Sequence, residues 1–159
     1  MQSPKPTGIT GKARESLAKI FDHVLRSEGS LSATTRDYRW SVTGPNLYSL
    51  HRLLDEQRRQ LDYWLDRVME RARSAGIPVP ARSDATAPAG GAGLPPRTMI
   101  GDLLARHEAM ARQLRDDIAR LADPGTAEVL TRLVEFHETT AWMLRMLHSD
   151  SGAGSGRTA

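Results

Sequence analysis

Four side chains on one stretch of the chain have the types and spacing of metal ligands: His51, Asp55, Asp66 and Glu70. His51 and Asp55 are four residues apart, as are Asp66 and Glu70, and residues i and i+4 are neighbours on a helix surface. At ~100° per residue the four fall at roughly 0, 40, 60 and 100°, so one continuous helix carries them all on one face. Imidazole and carboxylate donors without a thiol suit iron, and equally manganese or zinc. The two pairs cannot share an ion within one helix, because Asp55 and Asp66 are separated by about 16 Å of axial rise. A second copy of the helix, antiparallel across a two-fold axis, would set His51 and Asp55 against Asp66 and Glu70 of the partner, twice. The plainer reading of each pair is a solvated or salt-bridged helix face.

The elements that must position these residues are helices. Leu17, Ile20, Phe21, Val24, Leu25, Leu31 and Tyr38 recur at three- and four-residue steps, predicting an amphipathic helix over 12–40. Gly44-Pro45 breaks it. A second helix over about 46–75 carries the stripe Leu47, Leu50, Leu54, Leu61, Leu65, Val68 and Met69, ended by Gly76, Pro78 and Pro80. Residues 77–96 are rich in Ala, Pro and Gly and read as an irregular crossover. A third helix runs from about Thr98 to Leu121, on Met99, Ile100, Leu103, Leu104, Met110, Leu114, Ile118 and Leu121. Asp123 is placed as N-cap with Pro124 at N1 of a fourth helix over about 125–148. That helix buries Val129, Leu130, Leu133, Val134, Phe136, Ala141, Met143, Leu144 and Leu147. Residues 1–11 and 149–159 read as flexible tails. The expected fold is all-α: one four-helix domain over 12–148, with one long crossover between helices 2 and 3, which is the ferritin-like arrangement.

Composition agrees. A chain of 159 residues suits one domain with a real core, and 5% aromatic residues with many Leu, Arg, Ala and Glu favour helices over a β-sandwich. The net charge of +3 is too mild to argue for nucleic acid. The absence of cysteine excludes disulfides and thiolate metal sites. No apolar run approaches the ~18 residues of a membrane span, and the N-terminus has no hydrophobic signal region, so a cytoplasmic protein without a membrane is expected.

The stretch from Arg39 to Ala72 resembles the Dps family, the DNA-binding proteins from starved cells within the ferritin-like superfamily. That family carries a His-Trp pair, a His twelve residues after the first, an Asp four further on, and a later D-x-x-x-E pair. Trp40, His51, Asp55, Asp66 and Glu70 match in identity and spacing, and residues 125–145 resemble the family's last helix. One position departs: Arg39 stands where the family has its first His, a metal ligand. The resemblance implies a dodecameric shell built from two-fold dimers. It also implies a ferroxidase (an oxidoreductase acting on metal ions) in which His51, Asp55, Asp66 and Glu70 bind iron between subunits. Fe2+ is oxidised there by hydrogen peroxide and stored as Fe3+ mineral, which suppresses hydroxyl radicals and protects DNA from oxidative stress. Trp40 would quench stray oxidising equivalents or plug the dimer contact.

Guanidinium stays protonated and cannot ligate a metal. Arg39 is therefore expected to weaken the centre, pointing at the partner's Asp66 and Glu70 in place of a cation. The alternative is a structural shell or nucleoid-associated DNA-binding protein that has lost the oxidation chemistry; a third reading is a plain bundle or interaction module. DNA, if bound without sequence preference, would meet Lys5, Lys12 and Arg157. Asp116, Asp117 and Asp123 are candidate pore residues by the same resemblance. His107 and His137, with Glu108, Glu135 and Glu138 beside them, lack the Glu-x-x-His spacing of a di-iron core and read as surface or helix-contact residues.

Overall fold

A computed structural model of the chain describes residues 8–79 and 91–153. It contains four helices and, among the described residues, no strand: α1 (Gly11–Ser41), α2 (Leu47–Ser74), α3 (Pro96–Ala119) and α4 (Pro124–Ala153). Each begins or ends on a local signal. Thr10 caps α1 by accepting from the Ala13 amide. Gly76, at φ 73°, ends α2: the amides of Gly76 and Ile77 donate to the carbonyls of Arg73 and Ala72. Asp123 caps α4 as the sequence predicts, its Oδ2 accepting from the Thr126 amide at 2.9 Å. α4 runs five residues past the expected end at 148, so the start of the expected C-terminal tail is helical. Residues 1–7 and 154–159, and most of the expected crossover, lie outside the described residues.

α1 packs on α2 and α3 on α4, and α2·α4 and α1·α3 contacts join the two hairpins. Ser32 bonds Asp62 at 2.8 Å and Arg39 reaches Asp55, so α1 and α2 run antiparallel. Arg145–Glu108 and Arg115–Glu138 fix the same sense for α3 and α4. Ile77 joins the core around Leu17, near the start of α1. Gly91, in contrast, lies against the other end of α1, where a Cβ would come within 2.6 Å of Ser41 Oγ. Between these points the chain passes from one end of the bundle to the other. A single long crossover is therefore required to bring α3 back to the level of Tyr38, whose hydroxyl donates to Asp102 at 2.8 Å.

Two apolar clusters fill the bundle. One gathers Phe21, Val24, Val68, Leu114, Leu130 and Leu133; the other gathers Leu31, Leu54, Leu61, Leu103 and Leu144. Burying each such side chain contributes roughly 1.5–3 kcal/mol against solvent exposure. Two residues of the expected stripes, Leu47 and Met143, are exposed: Leu47 stands at the first turn of α2, and Met143 is on the outer face of α4 beside exposed Trp142 and Met146. His107 and His137 are not at the surface. Both are fully buried at the α3–α4 contact, where His107 meets His137 and His137 in turn meets a third buried polar group, Glu28 on α1, which short-range spacing could not supply.

Candidate metal centre

The last turn of α1 and the first half of α2 bring Arg39, Trp40, His51 and Asp55 together. The α1–α2 hairpin does this by setting the end of one helix against the start of the other. Trp40 is 71% exposed and meets His51 edge-on, with ring centroids 5.7 Å apart. The Arg39 guanidinium carbon lies 4.5 Å from the Trp40 ring centroid, within cation–π range. The same guanidinium donates from Nη1 to Asp55 Oδ1. Arg39 thus engages Asp55 of its own chain, whereas the resemblance had pointed it at a partner's Asp66 and Glu70.

Asp55 is held from two more directions. Arg59, one turn along α2, reaches Oδ2 at 2.5 Å, and Arg58 stands 3.8 Å from Oδ1. Sequence reasoning passed over this clamp, although the i+3 and i+4 spacing of Arg58 and Arg59 from Asp55 signals it. Burial pushes the Asp55 carboxyl up, but Arg59, Arg39 and Arg58 outweigh that and hold it below the usual carboxylate range. The carboxylate is ionised, as a metal ligand must be, and its charge is already matched by guanidinium. Arg39 and Asp55 are both largely shielded, at 16% and 17% side-chain exposure. A cation approaching Asp55 must therefore displace or redirect Arg39.

The other half of the expected ligand set is open. Asp66 and Glu70 are exposed on the same helix, with Glu70 bonded to Arg67 at 3.0 Å across a solvated face. Among the described residues of the single chain, no three His, Asp or Glu side chains are grouped to hold a metal ion. That follows from the axial separation of the two pairs, which one helix cannot close.

The remaining candidates have plainer surroundings. Lys12 is exposed in the first turn of α1; Lys5 and Arg157 lie outside the described residues. Of the three aspartates considered for a pore, Asp117 is buried, with Gln113 donating to one of its carboxylate oxygens at 3.2 Å, and Asp123 accepts from Arg71 at 2.7 Å while capping α4. Asp116 is exposed. No described helix is long and apolar enough to cross a membrane.

The ferritin-like domain model of protein families matches residues 18–150. An uncharacterised low temperature-induced protein of Nostoc is 34% identical, the match covering 87% of this chain and 83% of that one. A DNA protection during starvation protein of Agrobacterium fabrum is 26% identical, over 86% and 85% of the two chains. Among solved structures, the Dps protein of Vibrio cholerae, described as a ferritin-like diiron-carboxylate protein, superposes with a TM-score of 0.80. That match covers 92% of this chain and 98% of the other at 20% identity.

Proposed function

The chain belongs to the ferritin-like family, and on that footing we propose that it is a Dps-type shell protein handling iron at a site that Arg39 restrains. In this reading His51 and Asp55 of one subunit face the partner's Asp66 and Glu70 across a two-fold axis, in a dodecamer acting in the cytoplasm. Two Fe2+ ions each give one electron to hydrogen peroxide; the O–O bond breaks, and with two protons the oxygens leave as two waters. The carboxylates stabilise the Fe3+ product, which passes into the cavity as mineral. Consuming peroxide together with Fe2+ protects DNA nearby.

The observation that carries the restrained centre is the clamp of Arg39, Arg58 and Arg59 on Asp55. Iron must compete with guanidinium for this carboxylate, so the site loads weakly and turns over slowly. Anaerobic Fe2+ titration of the assembled protein tests it. Weak binding that tightens about tenfold or more in Arg39→His, a gain of at least ~1.4 kcal/mol, supports the reading. Equal affinity in the two proteins contradicts it.

The same clamp favours a second reading, a shell that keeps assembly and DNA contact while giving up oxidation. Retardation of DNA by wild-type particles that do not oxidise iron, even with Arg39→His, distinguishes it. Lys5, Lys12 and Arg157 are the contacts proposed for DNA in either case, multiplied over the subunits of one particle.

A further inference from the structure

Glu28 on α1, His137 on α4 and His107 on α3 form an unbroken hydrogen-bonded row in the bundle core. Glu28 Oε1 lies 2.7 Å from His137 Nε2, and His137 Nδ1 lies 2.9 Å from His107 Nδ1. All three side chains are fully buried. At the two ends, Glu28 Oε2 and His107 Nε2 are buried with no hydrogen-bond partner. Nothing in the iron-handling site uses these residues.

The row can be read by counting protons. Each of the two contacts needs one proton between its heavy atoms. With two protons in all, Glu28 is an anion beside two neutral imidazoles, and the core carries a net charge of −1. With three, Glu28 and His137 form an ion pair (or share the proton as neutral acid and base), His107 is a neutral acceptor at Nδ1, and the net charge is zero. With four, a second imidazolium makes the core +1. Unbalanced charge in an apolar interior is costly, so the three-proton state is the one the fold stabilises.

We propose that Glu28, His137 and His107 are an internal proton-binding site, which holds three protons in the folded bundle and sets the pH at which the bundle is most stable.

The surroundings leave this row to govern itself. α2, the remaining packed helix, contributes Leu54, Leu61, Leu65 and Val68 to the core and no buried charge; its Asp62 is engaged by Ser32 and Arg58. Among the described residues the only other buried acid, Asp117, is ten residues along α3 from His107, about 15 Å in axial rise. Phe136 packs edge-on against His107 at 5.9 Å and tilted against His137 at 5.1 Å, keeping the row dry. Burial, and then the neighbouring His137, push His107 down to about 3, which opposes the fourth proton. The row is unsuited to gripping a metal: the carboxylate and the second imidazole sit on opposite sides of the His137 ring, and no three such groups converge among the described residues.

The sign follows from proton counts. At pH 5 the unfolded chain charges both histidines and leaves Glu28 mostly ionised, so unfolding takes up one proton and stability falls with further acid. At pH 8 both unfolded histidines are neutral, so unfolding releases one proton and stability falls with further base. The test is denaturant unfolding of the full-length assembled protein between pH 4.5 and 8.5, for wild type, His107→Phe and Glu28→Gln. Wild type should show a maximum near pH 6–7, with limbs of about tenfold in the unfolding constant per pH unit. His107→Phe should flatten the acid limb alone, and Glu28→Gln the alkaline limb alone. Limbs unchanged in both variants would overturn the proposal. So would stabilisation of wild type by added Zn2+ that His107→Phe abolishes, since that would make the row a metal site. If a variant does not fold, calorimetric unfolding of wild type in buffers of different ionisation enthalpy decides. Uptake at pH 5 turning to release at pH 8 supports the proposal, and the same sign at both overturns it.

Discussion

At Asp55 a carboxylate that a metal ion would need already neutralises guanidinium, and the proposed behaviour of the centre rests on that competition. Replacing Arg39 with Ala removes one of three guanidinium partners and leaves Arg58 and Arg59 in place. The Asp55 carboxyl should then titrate higher than in wild type, closer to the usual range, and Fe2+ should bind more tightly. Isothermal titration at neutral pH checks both the direction and the size, about tenfold. Asp55→Asn should instead abolish iron binding while leaving the fold intact, since a neutral amide keeps the shape without the charge. Asp123 gives an independent residue-scale prediction, because it caps α4 and pairs with Arg71 in one position. Burial raises its carboxyl, but Thr126 and Arg71 hold it below the usual range. Its contribution is therefore present above the ordinary carboxylate pKa and lost as pH falls through the lower folded value. Asp123→Ala should cost roughly 1–2 kcal/mol at pH 7, read as a lower midpoint in denaturant, and the deficit should shrink in strong acid.

The helices themselves were legible because each carries its punctuation in sequence. Gly44-Pro45 ends α1, Gly76 ends α2 and Asp123-Pro124 opens α4, and the apolar stripes between them repeat at helical spacing. That His51 and Asp55, and likewise Asp66 and Glu70, stand one turn apart on α2 was legible for the same reason: a helix turns spacing into geometry. Glu28, His107 and His137 were not. They come from three helices, and their contacts span 30 and 109 residues, so each looks like a lone polar group on its own element. Arg39's partner was hidden similarly, since the reach from α1 to α2 depends on the register of the hairpin. Gly91 tests how that end of the bundle is closed. A Cβ there would meet Ser41 Oγ at 2.6 Å and Tyr38 Cδ1 at 3.1 Å. Gly91→Val should therefore push the start of α3 away from α1, lowering stability by roughly 1–3 kcal/mol in thermal melts. Gly93→Ala serves as a comparison, since open space surrounds it and only its φ of 82° is strained.

For the molecule as a whole, the proposed centre exists only when two copies meet. Asp55 and Asp66 lie too far apart on one helix to share an ion, so a monomer offers two half-sites. The exposed Trp40, Leu47 and Tyr48 sit at the α1–α2 end beside His51, where a second subunit would cover them in the proposed assembly. Light scattering of purified protein should give a particle about twelve times the 17.5 kDa chain; a monomer would leave the ligand pairs unjoined and favour an interaction module. The most direct test of the central claim is stopped-flow absorbance of Fe2+-loaded particles mixed with hydrogen peroxide, wild type beside Arg39→His, with particle mass recorded on the same samples. Slow oxidation by wild type and at least tenfold faster oxidation by Arg39→His, at unchanged mass, is the predicted result. Fast wild-type oxidation at two irons per site, no faster in Arg39→His, would contradict it.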